Sequence, residues 1–206
     1  MINKETKIYC SFSSNPGNNG CIFFNSEFKE LNMNAIYKSF YSDDIKKSIE
    51  AVKSLDIKGF ALSMPFKIEA LDYVDEVEDS AKKIGSINTV VNEDGYLKGY
   101  NTDWVGVKKY FETQRFNSLY IIGNGGFSKA VQYTCNVMDI GFEIITRENW
   151  ELISELSNKV LFNTTPVDIK TDNFLIDGRP HTDVGKEIAL YQAKEQFKIY
   201  TGVEID

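Results

Sequence analysis

Lys67 and Asp103 are the residues whose types and settings permit chemistry. A cation beside an anion can move a proton, and amides such as Asn88 and Asn101 pair with hydroxyls. The stretch that carries them runs from Ser63-Met64-Pro65-Phe66-Lys67 through Ile87-Asn88-Thr89 to Asn101-Thr102-Asp103. Such groups suit a site that grips a small polyhydroxylated molecule. Each also has a plainer reading. Most lysines are solvated surface charges, and any of Asn101, Thr102 and Asp103 could cap the helix that opens at Trp104. The second pair of readings is compatible, with Thr102 capping while Asp103 faces a cleft.

The elements around this stretch must place it. Phe60-Ala61-Leu62 reads as a buried strand and Pro65 as a first helical turn, so Lys67 falls just past a strand's end, where open sheets present their chemistry. Upstream, Lys7 to Phe12 is a strand and the run Ser13 to Gly20 is a loop rich in hydroxyls, amides and backbone N–H groups, an ordinary loop or a cradle for a carboxylate. Phe23, Phe24, Phe28 and Leu31 recur at helical spacing, and the aromatics among them read as core. Asn34 to Phe40 is a second strand, and Ser42 or Asp43 opens the helix of Ile45, Ile49, Val52 and Leu55. Residues 65–74 hold a short helix, another ends at Gly85, and Asn88–Asn92 pairs with Tyr96–Tyr100 across an Asp-Gly turn. This alternation signals an α/β layer with a largely parallel sheet.

A boundary is expected near Gln114-Arg115-Phe116-Asn117. Beyond it, strand Ser118–Ile122 leads into Gly123-Asn124-Gly125-Gly126 and an amphipathic helix, a setting in which loop N–H groups and a helix N-terminus could hold a pyrophosphate. Strand Phe142–Thr146 ends at Arg147, where a dinucleotide fold reads the ribose; arginine there suits a 2'-phosphate or is simply exposed. A helix over 150–156, a strand Val160–Asn163, a weak strand Phe174–Ile176 and a last helix from about Gly185 to Tyr200 complete a short unit. The expected domains are 1–114, 115–184 and 185–206.

Composition narrows the classes. The net charge of −7 and the lack of a basic cluster argue against a nucleic-acid surface. No apolar run spans a bilayer and the N-terminus has no secretory core, so a cytoplasmic protein is expected. Three cysteines without CxxC spacing and a single histidine, His181, leave little material for a disulfide, a metal site or a Ser-His-Asp triad.

With these residues placed, the chain resembles the shikimate dehydrogenase family, and within it the divergent shikimate dehydrogenase-like (shikimate/quinate dehydrogenase-type) branch. The matching pieces are Ser63 to Lys67, Ser86 to Thr89, Tyr100 to Asp103, Gly123-x-Gly-Gly-x-x-x-Ala130, Asn163-Thr-Thr-Pro166, and Gly185 through Gln192-Ala193 to Thr201-Gly202. The resemblance implies an N-terminal substrate-binding α/β domain, a truncated Rossmann-like NADP-binding domain and a C-terminal helix packing back on the first. It implies hydride transfer between NADP, with NAD as the alternative, and shikimate or a relative such as quinate. Lys67 and Asp103 match the family's catalytic pair. Ser11, Ser13, Ser63, Asn88 and Gln192 fall at substrate-binding positions, and Gly123, Gly125, Gly126, Arg147, Asn163 and Thr164 at cofactor-binding ones. No metal is implied. The expected partner is a small cyclic hydroxy acid, with no nucleic acid or membrane, and a monomer or homodimer; aromatic biosynthesis, quinate catabolism and a specialised product remain open as pathways.

Two departures stand out. Phe24-Asn25 occupies the family's His-Asn position, with the loop Ser11–Gly20 where the carboxylate would bind. Segments are also missing between Arg147 and Val160 and between Pro166 and Gly185. A second reading therefore stays beside the enzyme: a weak or inactive member that binds a cyclic hydroxy acid without productive cofactor use.

Overall fold

Two sheets organise the chain, and the computed structural model describes residues 2–205 of it. Unit 1 comprises the residues up to Thr102 together with those from Ala193 onward, and unit 2 comprises Asp103–Gln192. Both are α/β, as the strand–helix alternation requires.

In unit 1 the elements follow in the order β1 (Lys7–Ser13), α1 (Asn19–Glu30), β2 (Ala35–Tyr41), α2 (Ile45–Ser54), β3 (Gly59–Leu62), a 3-10 turn (Glu69–Tyr73), β4 (Glu76–Val77), α3 (Asp79–Ile84), β5 (Thr89–Glu93) and β6 (Tyr96–Tyr100). The sheet order is β2-β1-β3-β5-β6-β4. Strand β1 runs parallel to β2 and β3, and β5 is antiparallel to both β3 and β6. Alternation along β1 divides the core. Cys10 and Phe12 meet Ile45, Ile49 and Val52 of α2, whose i, i+4, i+7 spacing makes one apolar stripe. Tyr9 faces the opposite way, toward Phe24 and Phe28 of α1.

Local chemistry sets the boundaries. The N-cap of α2 is Asp44, not Ser42 or Asp43, because its Oδ1 accepts from Lys47 N at 3.0 Å. Ser42 supports that cap instead, its Oγ accepting from Asp44 N. Helix α3 is capped by the Glu78 side chain and closes at Gly85 in the left-handed region. The Asp-Gly hairpin forms as expected, with Asp94 and Gly95 both at positive φ. The helix expected over 65–74 is only a 3-10 turn from Glu69, following a cis Met64–Pro65 bond.

Unit 2 begins with α4 (Asp103–Phe111), which the boundary expected at 114 assigned to the first domain. It groups here because Val107, Tyr110 and Phe111 pack with Leu119, Ile121, Val131 and Phe162. Next come β7 (Ser118–Ile122), α5 (Gly126–Val137), β8 (Gly141–Ile145), a 3-10 turn, the one-turn α6 (Leu152–Glu155), β9 (Val160–Asn163), β10 (Phe174–Asp177) and α7 (Asp183–Thr201). The sheet is entirely parallel, in the order β10-β9-β7-β8. This is a Rossmann-like layer of four strands.

Helix α7 serves both cores. Ile188 packs in unit 2, whereas Phe197 and Tyr200, in the part assigned to unit 1, pack on Phe24, Phe28 and Tyr9. The C-terminal helix thus returns to the first domain, and it is the stretch from Ala193, not from Gly185, that does so. No helix among the described residues is long and apolar enough to cross a membrane.

Candidate active site

The candidate residues of unit 1 line one edge of its sheet. Parallel register continues from Phe12 opposite Leu62 to a bond from Ser63 N to Phe12 O, so Ser13 and Ser63 end adjacent strands together. Antiparallel pairing then brings the start of β5 to the same edge: Leu62 N donates to Asn88 O at 2.8 Å. Asn88 N in turn donates to Tyr100 O at 2.9 Å, which adds Asn101 and Thr102. Neighbouring strands lie about 4.8 Å apart, so the row Ser13, Ser63, Asn88, Thr102 spans roughly 14 Å. Gaps of up to 50 residues between neighbours in the chain collapse into one polar line.

Beneath that line the polar groups are buried and paired. Asn88 is 2% exposed. Its Oδ1 accepts from Thr102 N at 2.8 Å and Thr89 Oγ1 at 2.9 Å, while its Nδ2 donates to Thr102 Oγ1 at 3.0 Å. Asn101 Nδ2 donates to Ser86 O and Oγ. Ile87 N donates to Lys67 O at 2.8 Å, which ties the lysine's backbone to the residue before Asn88. Lys67 is half-buried, and Asp103, joined by its peptide bond to Thr102, is buried. Backbone bonds thus bring the ends of all three motifs of the sequence together.

Ser13 holds the expected cradle loop in place, whereas Ser11 lies within β1 and bonds to the neighbouring strand β2. Ser13 Oγ accepts from Asn15 N at 3.0 Å and lies 3.4 Å from Met64 O, while Ser11 Oγ donates to Ser39 Oγ. Phe24, at the position of the family's histidine, is core: it stacks on Tyr37 with centroids 4.4 Å apart. Asn25 ties α1 to β2: its Nδ2 donates to Tyr37 O at 2.9 Å and its Oδ1 accepts from Tyr37 N at 2.8 Å.

In unit 2 the candidates gather at the carboxyl ends of the parallel strands. Gly123 has φ +108°, a conformation that side chains strain to adopt, and a Cβ there would lie 2.6 Å from Thr164 Oγ1. A Cβ on Gly125, the N-cap of α5, would meet nothing within 4 Å, so the backbone there is open to close approach. Those two observations fit a loop that passes under a phosphate. Arg147 lies exposed after β8. Asn163 is fully buried and shapes the following turn, bonding Val167 O and accepting from Thr165 N and Oγ1. Thr164 closes that turn over Gly123 by donating to Ile122 O. Gln192 lies where α7 crosses α4: a Cβ on Gly106 would lie 3.1 Å from Gln192 Cβ. A cavity of about 530 Å³ lined by Phe111, Arg115, Phe116, Asn117, Met138 and Ile140 sits near the start of β7 and holds none of these residues.

Residues 20–90 match the model of the shikimate dehydrogenase substrate binding domain. A shikimate dehydrogenase-like protein of Haemophilus influenzae is 42% identical over 134 residues, 64% of this chain and 49% of that protein. A shikimate dehydrogenase (NADP(+)) of Methanococcus maripaludis is 32% identical over 194 residues, covering 84% of this chain and 69% of its own. The chain belongs to the shikimate dehydrogenase family. The crystal structure of the family member from Aquifex aeolicus superposes with a TM-score of 0.81 at 28% identity, covering 100% of this chain and 96% of that one. By sequence, the chain spans about half the length of several curated relatives it matches, 49% for the Haemophilus protein and 51% for a shikimate dehydrogenase (NADP(+)) of Pyrococcus furiosus. The family model falls within unit 1, where the polar edge lies.

Two contributors were given no role by the sequence: Thr89, which lies inside the Ile87-Asn88-Thr89 stretch, and Gln196. Gln196 is 3% exposed and donates to Thr89 Oγ1 at 2.7 Å. Its spacing of four from Gln192 on one helix was the available clue.

Proposed function

We propose that this chain is an NADP-dependent oxidoreductase that interconverts shikimate, or a close relative such as quinate, and its 3-dehydro ketone. The observation that carries this reading is the row of polar groups on one sheet edge of unit 1, ending at Thr102 with Asp103 next in the chain. A row of roughly 14 Å leaves room for a six-membered ring bearing a carboxylate, with hydrogen bonds at either end. Relatives named as NADP-linked shikimate dehydrogenases add the substrate and cofactor class.

In the proposed mechanism the loop after Ser11 and Ser13 receives the carboxylate, where short polar side chains and backbone N–H groups favour an anion. Ser63, Asn88 and Gln192 orient the ring hydroxyls. Lys67 and Asp103 act on the hydroxyl that becomes the ketone: one holds its oxygen, and the other takes its proton as the C–H bond yields a hydride. Bound NADP supplies the hydride acceptor. Gly123, Gly125 and Gly126 would hold its pyrophosphate, with Asn163 and Thr164 shaping the adjoining turn and Arg147 next to the ribose. In the reverse direction the same pair returns the proton to the forming alkoxide.

The test is direct. The purified chain, given shikimate or quinate with NADP or NAD, should produce reduced nicotinamide, fastest with NADP. The four-stranded sheet of unit 2 favours a second reading, an acid-binding protein without productive cofactor use. That reading wins if shikimate or quinate raises the melting temperature while neither dinucleotide does and no hydride moves.

A further inference from the structure

We infer that Gln196 is a positioning residue for the proton-transfer pair: it sets the direction of a buried hydrogen-bond chain that ends on the backbone amide preceding Asp103. This inference rests on the reading of Lys67 and Asp103 as the acid–base groups.

The chain has four members. Gln196 Nε2 donates to Thr89 Oγ1 at 2.7 Å and to Asn88 O at 3.2 Å. Because Thr89 Oγ1 receives that hydrogen, its own is available for Asn88 Oδ1 at 2.9 Å. Asn88 Oδ1 also accepts from Thr102 N at 2.8 Å. Direction is imposed at both ends. Turning the Gln196 amide over would set its oxygen against the carbonyl of Asn88, and turning the Asn88 amide would set NH2 against the N–H of Thr102. All four residues are 3% exposed or less, so no solvent replaces a lost partner.

Consequence follows from position in the chain. The amide held by Asn88 belongs to Thr102, and Asp103 is the next residue. Loosening it lets the carboxylate drift, and a displacement of about 1 Å in a reacting group costs on the order of a hundredfold in rate. Gln196 touches neither proposed acid–base group, so its effect on them passes through Thr89 and Asn88.

Gln196→Met keeps the length of the side chain and deletes the donor. It should lower kcat about tenfold, with KM for the acid little changed. Gln196→Glu keeps the shape but cannot donate when ionised, so its kcat should fall at neutral pH and recover as the buried carboxyl protonates on acidification. A packing role alone would show no such pH profile. Thr89→Val should match the Gln196→Met loss, Thr89→Ser should rescue it, and the double variant Gln196→Met/Thr89→Val should be no worse than either single change. Exchange of the Thr102 amide hydrogen should quicken in Gln196→Met in parallel. A folded Gln196→Met with wild-type kcat overturns the inference, as do additive losses in the double variant. Should Gln196→Met fail to fold, equal kcat for Thr89→Val and Thr89→Ser overturns it. If the wild type transfers no hydride at all, the functional reading falls on that result. The positioning chain is then judged by Thr102 exchange alone, and unchanged exchange in Gln196→Met ends it.

Discussion

The two sheets of this chain are built by the same rules and finished to different degrees. In unit 1, six strands carry helices on both faces: α1 and the end of α7 on one, α2 and the shorter α3 on the other. In unit 2, four parallel strands are covered on one face by α4, α5 and the start of α7. On the other face, among the described residues, lie the one-turn α6, the 3-10 turn before it and their flanking loops, with Trp150, Leu152 and Leu156 around Ile145, Ile153 and Leu161. Parallel strands need a crossover of a dozen or more residues for each added strand. Residues 146–159 make one crossover from β8 to β9 and leave none for a further strand, so β8 ends the sheet. The contrast teaches that unit 1, where the proposed acid site lies, is the complete half, with helices on both sheet faces, whereas unit 2 is the reduced half, keeping its glycine turn on a narrower sheet with one thinly covered face.

That comparison can be broken where it is strongest. Lys67→Ala, in the complete half, should lower kcat about 10²- to 10⁴-fold with little change in KM for the acid. Unchanged turnover would remove Lys67 from the mechanism and with it the special status of the unit 1 edge. In the reduced half, Gly123→Ala forces a side chain into positive φ against Thr164, and chemical denaturation should show a loss of about 2–3 kcal/mol. A neutral effect would mean that the turn tolerates a side chain and needs no glycine. Arg147→Ala sharpens the contrast further. It should weaken NADP about tenfold, read by titration, and leave both NAD binding and acid-induced thermal stabilisation as they were. Equal weakening of both dinucleotides would take Arg147 out of the 2'-phosphate role.

The smallest expected effect concerns pH. Burial opposes charge on Asp177, but hydrogen bonds from the Arg179 side chain and backbone outweigh it and hold the carboxyl below its ordinary 3.8. A depressed pKa stabilises the fold above the unfolded value and is lost as pH falls through the folded one. Arg179→Met should therefore lower stability at pH 7, with the gap to wild type closing below pH 3.8. A gap independent of pH would show that Arg179 acts by packing, and that the end of β10 owes nothing to its ion pair.

Much of this was legible in order along the chain. The alternation of strands and helices, the Asp-Gly hairpin and the glycine turn after β7 each depend on neighbours within a few residues, and each appears where expected. Boundaries were less legible. Asp44 and not Ser42 or Asp43 caps α2, since three polar residues in a row offer equal propensity and only the geometry of Lys47 N selects one. Helix α4 joined unit 2 because Val107, Tyr110 and Phe111 found their partners in β7, α5 and β9, a choice that no local pattern encodes.

Residue types and spacing alone singled out Lys67, Asn88 and Asp103 as candidates for chemistry and Gly123 as the start of a glycine turn, because such signals are local and few alternatives suit them. Tertiary structure alone decided that Ser13, Ser63, Asn88 and Thr102 share one edge, and that Gln196 reaches Thr89 from more than a hundred residues away. Strand register and helix docking set those meetings, and both are fixed by burial of side chains far apart in the chain.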